Sequence, residues 1–357
     1  MLVVKNKTTE ELLEKIRTIP KLTKLKCVNC PLTTMPLMSN LIKLECSWIR
    51  SLTTLPQFPQ LIELKCEGCP LETLSPQPKL INLDCSYCHM LTTLPFMPKL
   101  TTLNCTGCPL LTMISAQPRL TELYCSCCLL LTTLPSMPKL TMINCAECFQ
   151  LTIMSAQPQL VELYCMSCTL LTTLPILPNL IYLNCADCNF ENIMAQPQLI
   201  ELECSMCPQL TTLYQQPNLV RLYCSDCPQL TTMSVQPKLR DLGCRDCPLT
   251  TLPQLLQLTE LDCCACPILT TLPPLPLLTH LDCIECPMLK IRYRDYPKLK
   301  YIRSMESPLI KSRSTNELRK LRTGYRKDIA SIKAIFPKLP EDIVRLVKEY
   351  LNDLRDI

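Results

Sequence analysis

The amino-acid sequence predicts an elongated solenoid built from short stacked repeats. Cysteine recurs at intervals of 19 or 20 residues from Cys27 to Cys283. The 33 prolines are spread along the chain from Pro20 to Pro340, where they would interrupt long helices and central strands. A unit of about 20 residues has room for a short strand and an extended return, but not for a full helix. We therefore expect a parallel sheet on the inner face and an extended, polyproline-like outer face.

One leading cysteine marks each unit, and fourteen of them stay in register. They are Cys27, Cys46, Cys66, Cys85, Cys105, Cys125, Cys145, Cys165, Cys185, Cys204, Cys224, Cys244, Cys263 and Cys283. A fifteenth unit keeps the spacing around Leu299 and Ile302, but serines replace both of its cysteines at Ser304 and Ser307. At a strand spacing of about 4.8 Å, these units would give an inner sheet on the order of 70 Å long.

The order of residues within a unit resembles the leucine-rich repeat. One clean unit reads LTTLNCTGCPL from Leu100 to Leu110 and aligns with the pattern LxxLxLxxNxL. Leu100, Leu103 and Leu110 take leucine positions. Cys105 replaces the remaining leucine, and Cys108 replaces the asparagine. The rest of a unit, usually LTTLPxxP, is similar to short repeats of bacterial leucine-rich-repeat proteins, and the whole chain is similar to leucine-rich-repeat proteins of giant DNA viruses. The resemblance implies a leucine-rich-repeat solenoid of about 15 repeats.

The pattern divides the chain into three parts. Residues 20–310 form the solenoid, residues 1–19 an N-terminal helical cap, and residues 311–357 a basic C-terminal helical segment. A capping threonine, early acids and apolar residues at helical spacing predict a short amphipathic helix within residues 9–16. Two more helices are expected between residues 314 and 354. Stacked repeats need such covers, because an end unit cannot bury its own leucine face.

Thirteen CxxC pairs are the most conspicuous feature of the sequence. The repeat pattern directs both cysteines of a pair into the solenoid, which predicts two columns of reduced core thiols, the second of them weak hydrogen-bond donors. Ile49 stands in place of one second cysteine, a change that a metal site would not accept. The alternative is a metal-binding or thiol-rich repeat protein that uses the CxxC pairs. Cys127 and Cys264 fall outside the columns and are expected to be exposed and therefore more reactive, although no neighbouring residue is expected to activate them.

Motif content argues against an enzyme. The chain has four glycines and neither a GxGxxG nor a GxxxxGK[ST] motif, which argues against a nucleotide-binding loop. Its two histidines, His89 and His280, are not placed by the repeat pattern beside a nucleophilic side chain. We therefore predict no catalytic residues, no cofactor and no metal. The apolar run at the start of the sequence is too short for a secretion signal, and no segment is long and apolar enough to be expected to span a membrane. We expect a cytoplasmic protein with free thiols, in the host cytoplasm if it is viral.

The positions that flank the central leucine of each strand should project from the inner sheet, because strand side chains alternate between faces. They are basic in the first units, aromatic and acidic in the middle, and acidic towards the end. Rigid aromatic side chains surrounded by polar groups are favoured at binding surfaces. We predict that a protein partner binds residues Tyr124, Tyr164, Tyr182, Tyr223, Glu122, Glu162 and Glu201. The alternative is a set of solvated positions filled according to β-propensity.

Charge is segregated along the chain. Residues 27–289 hold 11 Lys and Arg against 19 Asp and Glu, whereas residues 290–338 hold 15 against 4. A basic stretch of this kind can contact nucleic acid or an acidic partner. A solvated helical cap explains it as well, and we expect no nucleic-acid partner.

The last residues resemble the first helix of an F-box. Residues 339–351 read LPEDIVRLVKEYL, although Asp342 replaces the usual glutamate and Lys348 stands where an apolar residue is common. The resemblance implies a Skp-type adaptor as partner and a role as substrate receptor of a Skp/cullin ubiquitin ligase. The residues that match are Leu339, Pro340, Ile343, Val344, Val347 and Leu351. Any amphipathic end-cap could show the same pattern.

Overall fold

The computed structural model describes residues 2–5, 11, 14, 16, 18–19, 21–292 and 295–304. Its core is one parallel β-solenoid, as the sequence predicts. The main sheet contains sixteen strands, which follow one another in space in chain order. They are β1 (Leu2–Lys5), β2 (Lys24–Val28), β3 (Lys43–Glu45), β4 (Glu63–Lys65), β5 (Asn82–Asp84), β7 (Thr102–Asn104), β9 (Glu122–Tyr124), β11 (Met142–Asn144), β13 (Glu162–Tyr164), β14 (Tyr182–Asn184), β16 (Glu201–Glu203), β18 (Arg221–Tyr223), β20 (Asp241–Gly243), β21 (Glu260–Asp262), β22 (His280–Asp282) and β23 (Tyr301–Arg303).

A second set of strands lies on the return limb, the stretch that leads from one main-sheet strand to the next. These seven strands have two residues each and form two pairs and one group of three. They are β6 (Thr93–Leu94), β8 (Met113–Ile114), β10 (Thr133–Leu134), β12 (Ile153–Met154), β15 (Asn192–Ile193), β17 (Thr212–Leu213) and β19 (Thr232–Met233). The sequence did not predict them, because two residues are too few to show a strand period.

The predicted helical caps are not supported. All the elements with described bounds are strands, although the isolated described residues Glu11, Glu14 and Ile16 have a helical backbone. At the N-terminal end, β1 pairs in parallel with β2, with Leu2 opposite Leu25, so a sixteenth strand extends the sheet instead. Most of residues 6–17 and all of residues 305–357 lie outside the described residues, and with them most of the cap segments. Among the described residues, no helical segment has the length and apolar character needed to span a bilayer.

Leucines and cysteines fill the solenoid interior, with one correction to the alignment. Leu110 is 37% exposed, while Leu111 is fully buried and is the true last leucine of its unit. One extra residue after the second cysteine explains the shift. In the shorter unit at Cys69, a single residue separates the cysteine from the buried Leu71. The alternation between 19 and 20 residues therefore arises at this turn and leaves the strands in register.

The second cysteines form a ladder of hydrogen bonds along the core. The Cys108 thiol donates to the backbone carbonyl of Cys85, the leading cysteine of the preceding unit, over 3.2 Å. Twelve such bonds, of 2.9–3.3 Å, join successive units. They give buried carbonyls of the leading cysteines a side-chain donor, in some units in addition to a backbone N–H, as at Cys66 and Cys145. The predicted position of both cysteine columns inside the core is confirmed for the described residues, since the cysteines of both columns are buried.

The return limb contains a second ladder, made of buried glutamines. The Gln157 Oε1 atom accepts from the Met137 backbone N–H over 2.9 Å, and its Nε2 donates to the Pro135 carbonyl over 2.8 Å. Each such side chain links its unit to the preceding one. The six glutamines are Gln77, Gln117, Gln157, Gln196, Gln216 and Gln236. The repeat pattern alone does not reveal this ladder, because the partners of each glutamine lie in the preceding unit.

Candidate functional site: the inner face of the main sheet

The solvent-exposed face of the main sheet consists of two columns of side chains. In β9, Leu123 is fully buried, and Glu122 and Tyr124 on either side of it point away from the core. Strand pairing is in register, so that Glu122 lies beside Met142, and Tyr124 beside Asn144. We call the residues before each buried leucine the leading column and those after it the trailing column.

All seven residues predicted to bind a partner lie on this face. Four belong to the leading column, namely Glu122, Glu162, Tyr182 and Glu201. Three belong to the trailing column, namely Tyr124, Tyr164 and Tyr223. They extend from β9 to β18, and all are at least partly accessible to solvent. They therefore lie on the face that the sequence predicted, and their role in binding a partner stays a prediction.

Two of the tyrosines contact each other. The rings of Tyr164 and Tyr182, on neighbouring strands, have centroids 4.9 Å apart and are tilted by 39°. The Tyr164 hydroxyl donates to Glu162 over 3.3 Å. Burial raises the pKa of the Tyr164 phenol, and the adjacent Glu162 carboxylate raises it further. Tyr124 shows the same direction, from burial and from Glu122. These phenols therefore stay protonated and remain hydrogen-bond donors.

Ion pairs within the face reduce some of its charge. Glu201 pairs with Arg221 on the next strand, so this predicted binding residue already has a partner. In the first units, Lys43 pairs with Glu63 in the same way. Lys26 and Lys43, two of the lysines that make the beginning of the face basic, are thus offset by acids on adjacent strands. Such exposed pairs contribute about 0–1 kcal/mol each to stability.

Towards the C-terminal end, the face has a hollow that sequence analysis did not identify. It has a volume of about 360 Å³ and lies over β18 to β23. The Tyr223 hydroxyl donates to Asp241 over 2.6 Å at one side. Gly243 on β20 also lines it, and His280 and Tyr301 line the other side. One sequence signal could have revealed it, since Gly243 is a glycine in a trailing column otherwise filled by larger residues.

Cys264 is not the exposed thiol that the sequence predicted. It is only 4% exposed, and its thiol lies 2.8 Å from Asp282 Oδ1. Burial, followed by hydrogen bonds with Asp282 and Asp262, raises its pKa. The position directly after the leading cysteine is buried in some units, as at Ser86, and exposed in others, as at Met166, and the acids on either side of Cys264 bury its thiol.

Cys127 is half-buried, which agrees better with the prediction of an accessible thiol. Its pKa is also raised, by burial and by the neighbouring Glu147 carboxylate. The thiolate is the reactive form of cysteine. Neither extra cysteine is therefore activated by its surroundings, and Cys127 is the more accessible of the two.

The CxxC pairs do not form metal sites among the described residues. Within that part of the chain, only Asp262, Cys264 and Asp282 bring three possible ligand atoms within 4.8 Å of one another. None of them belongs to the two cysteine columns. The second cysteines instead donate to backbone carbonyls, as described above. A structural zinc site needs four converging ligands, so the CxxC alternative is not favoured.

The residues predicted to bind an adaptor lie outside the described residues. This applies to Leu339, Pro340, Ile343, Val344, Val347 and Leu351. Their proposed role stays a prediction from the sequence.

No family model and no curated protein sequence matches the chain. The fold is similar to that of YopM from Yersinia enterocolitica, with 22% identity, coverage of 81% of this chain and 70% of that chain, and a TM-score of 0.56. A leucine-rich-repeat protein of Leptospira interrogans matches at 19% identity. The match covers 85% of this chain and 89% of that chain, with a TM-score of 0.38. The functional domain of InlJ from Listeria monocytogenes, which includes a cysteine ladder, matches at 20% identity. The match covers 80% of this chain and 64% of that chain, with a TM-score of 0.32. The structural neighbours are leucine-rich-repeat proteins, and the likeness to YopM supports the solenoid fold.

Proposed function

We propose that this chain is a non-enzymatic scaffold that binds a protein partner on the inner face of the main sheet, in the cytoplasm. The observation that carries the proposal is the Tyr164–Tyr182 ring pair among acidic side chains. The two rings are supported by a continuous parallel sheet, so they lose little freedom on binding. Rigid aromatic groups surrounded by polar ones are the usual centres of binding energy at protein interfaces. The reduced core thiols also suit a reducing compartment.

A double variant tests the proposal. Tyr164→Ala together with Tyr182→Ala removes the ring pair and leaves the buried leucines in place. We expect the amount of partner captured by the purified chain from cell extract to fall at least about tenfold, since two interface anchors together contribute about 2 kcal/mol or more. Tyr214→Ala is the matched control, because Tyr214 is 47% exposed on the return limb. Equal capture by the double variant and the unchanged chain would contradict the proposal.

A more specific role is that of a substrate receptor that presents the bound protein to a Skp-type adaptor through residues 339–351. The F-box-like pattern supports it. Replacing the apolar Val347 with aspartate should abolish binding to a purified Skp-type adaptor, measured by calorimetry, and leave the unfolding temperature unchanged. If the unchanged chain does not bind the adaptor and the variant has a lower unfolding temperature, the segment is an end-cap and this role is wrong.

A further inference from the structure

The hollow near the C-terminal end of the inner face results from a missing side chain. Gly243 occupies a trailing-column position between Tyr223 and Asp262 on the neighbouring strands. Its backbone is not in the left-handed region, so the local conformation does not require glycine. A Cβ atom built there would lie 3.1 Å from Cδ1 of Tyr223. The Tyr223 ring therefore leans over the glycine, and open space remains beside it.

Four carboxylates surround this space. Asp241 lies beside Glu260 in the leading column, and Asp262 lies beside Asp282 in the trailing column. Like charges directly opposite each other on neighbouring strands are destabilising. A positive group placed between them would remove that repulsion.

The positive side chains nearby offset only part of this charge. Arg245 lies 3.5 Å from Asp262, and Arg303 pairs with Asp282. Asp241 accepts the Tyr223 hydroxyl and lies beside Arg221 in the leading column, but the Arg221 guanidinium pairs with Glu201 on its other side. Glu260 forms no ion pair with any described residue. The hollow therefore keeps an excess of negative charge on the side of the leading column.

Aromatic rings border the same space. The Tyr223 ring stands at one side, and the rings of His280 and Tyr301 stand at the other, with centroids 5.9 Å apart. A planar guanidinium can stack on an aromatic ring while its N–H groups donate to carboxylates. A lysine ammonium group is compact and not planar, so it cannot stack on a ring and donate to two carboxylates in the same way.

We propose that this hollow binds an arginine side chain of the protein partner. This inference rests on the scaffold function proposed above and adds the chemistry of the partner, a segment with a protruding arginine. Charge complementarity and the aromatic border favour arginine over a metal ion. Within the part of the chain that the structure describes, the only cluster with metal-ligand geometry is Asp262, Cys264 and Asp282, and it is already engaged by Arg245, Arg303 and its own internal hydrogen bond.

The test uses the full chain with ¹³C-labelled tyrosine rings, observed by NMR. N-acetyl-arginine N-methylamide is the probe, and the citrulline analogue, which has the same shape without the charge, is its control. We expect the arginine probe to shift the Tyr223 signal, assigned with Tyr223→Phe, in a saturable way. The Tyr124 and Tyr164 signals should not move. The citrulline probe should cause no saturable shift.

Two variants of the hollow sharpen the test. Gly243→Asn introduces a residue that other units carry in the trailing column, as at Asn144 and Asn184, and should abolish saturable binding. Glu260→Gln removes one unpaired charge and should weaken binding about two- to fivefold, the range expected for a partly exposed ion pair. Glu285→Gln is the matched control, because Glu285 is exposed nearby but does not line the hollow. It should leave binding unchanged.

Several outcomes would overturn the inference. Equal shifts with the citrulline probe would exclude recognition of the guanidinium. Equal loss in Glu285→Gln and Glu260→Gln would reduce the effect to overall charge. A larger shift of the same signals with calcium chloride would make the hollow a metal site. If the arginine probe fails while Tyr164→Ala with Tyr182→Ala still loses its partner, the inference fails and the scaffold function stands.

Discussion

The free energy of unfolding should fall steeply as the pH rises above about 9. The leading cysteines are fully buried, and burial raises the pKa of Cys185, Cys204 and Cys224 well above its ordinary value of 9.0. In the unfolded chain, these thiols ionise near that ordinary value. Their contribution to stability is therefore complete below about pH 9 and is lost as the pH rises towards the folded pKa. Each thiol removes about 1.4 kcal/mol per pH unit.

The total effect is large because the column repeats in fourteen units. A typical domain is stable by about 5–15 kcal/mol, so several such thiols would unfold the chain within one or two pH units. Urea unfolding under a reductant, followed by circular dichroism from pH 7.5 to 10, measures the slope. Replacing Cys204 and Cys224 together with alanine should make the slope shallower by about 3 kcal/mol per pH unit. An identical slope in this variant would mean that the thiols ionise in the folded chain.

Replacement of Gln157 by methionine should destabilise the solenoid by about 2–4 kcal/mol. The side chain is fully buried and bonds to both the Met137 N–H and the Pro135 carbonyl of the preceding unit. Methionine preserves the volume but leaves these two backbone groups without a partner. A buried polar group that loses its partner costs about 1–3 kcal/mol. Denaturant unfolding at pH 7.5 measures the difference.

The neighbouring unit offers a matched control for this variant. Met137 occupies the position that corresponds to Gln157, and it is also fully buried. Met137→Leu changes the shape of the side chain without removing a hydrogen bond, so the loss should stay below about 1.5 kcal/mol. If the two variants lose the same free energy, packing alone accounts for the effect and the glutamine ladder contributes nothing.

The repeat, its strands and its cysteine columns could be predicted because they are periodic. Leu103, Cys105 and Cys108 recur at fixed offsets, and strand alternation places the residues beside each leucine on the opposite face. The same rule located Tyr164 and Tyr182 on the inner face. None of these conclusions requires knowledge of which side chains touch.

Other features depend on contacts between units and could not be predicted. The strand β1 was missed because its partner, β2, supplies the ladder that defines it. The role of Gln157 was missed because its partners lie about 20 residues earlier and come within reach only when the units stack. Cys264 looked exposed from its register alone, although its neighbours in space bury it.

The sequence by itself determined the solenoid, the register of its strands and the face on which the aromatic and acidic residues lie, since these follow from a period shared by every unit. Only the tertiary structure decided that Tyr164 contacts Tyr182, that Arg221 offsets Glu201, and that a hollow opens beside Gly243. Periodicity specifies where a side chain points. Its contacts, its charge balance and the space next to it depend on the residues that neighbouring units bring alongside.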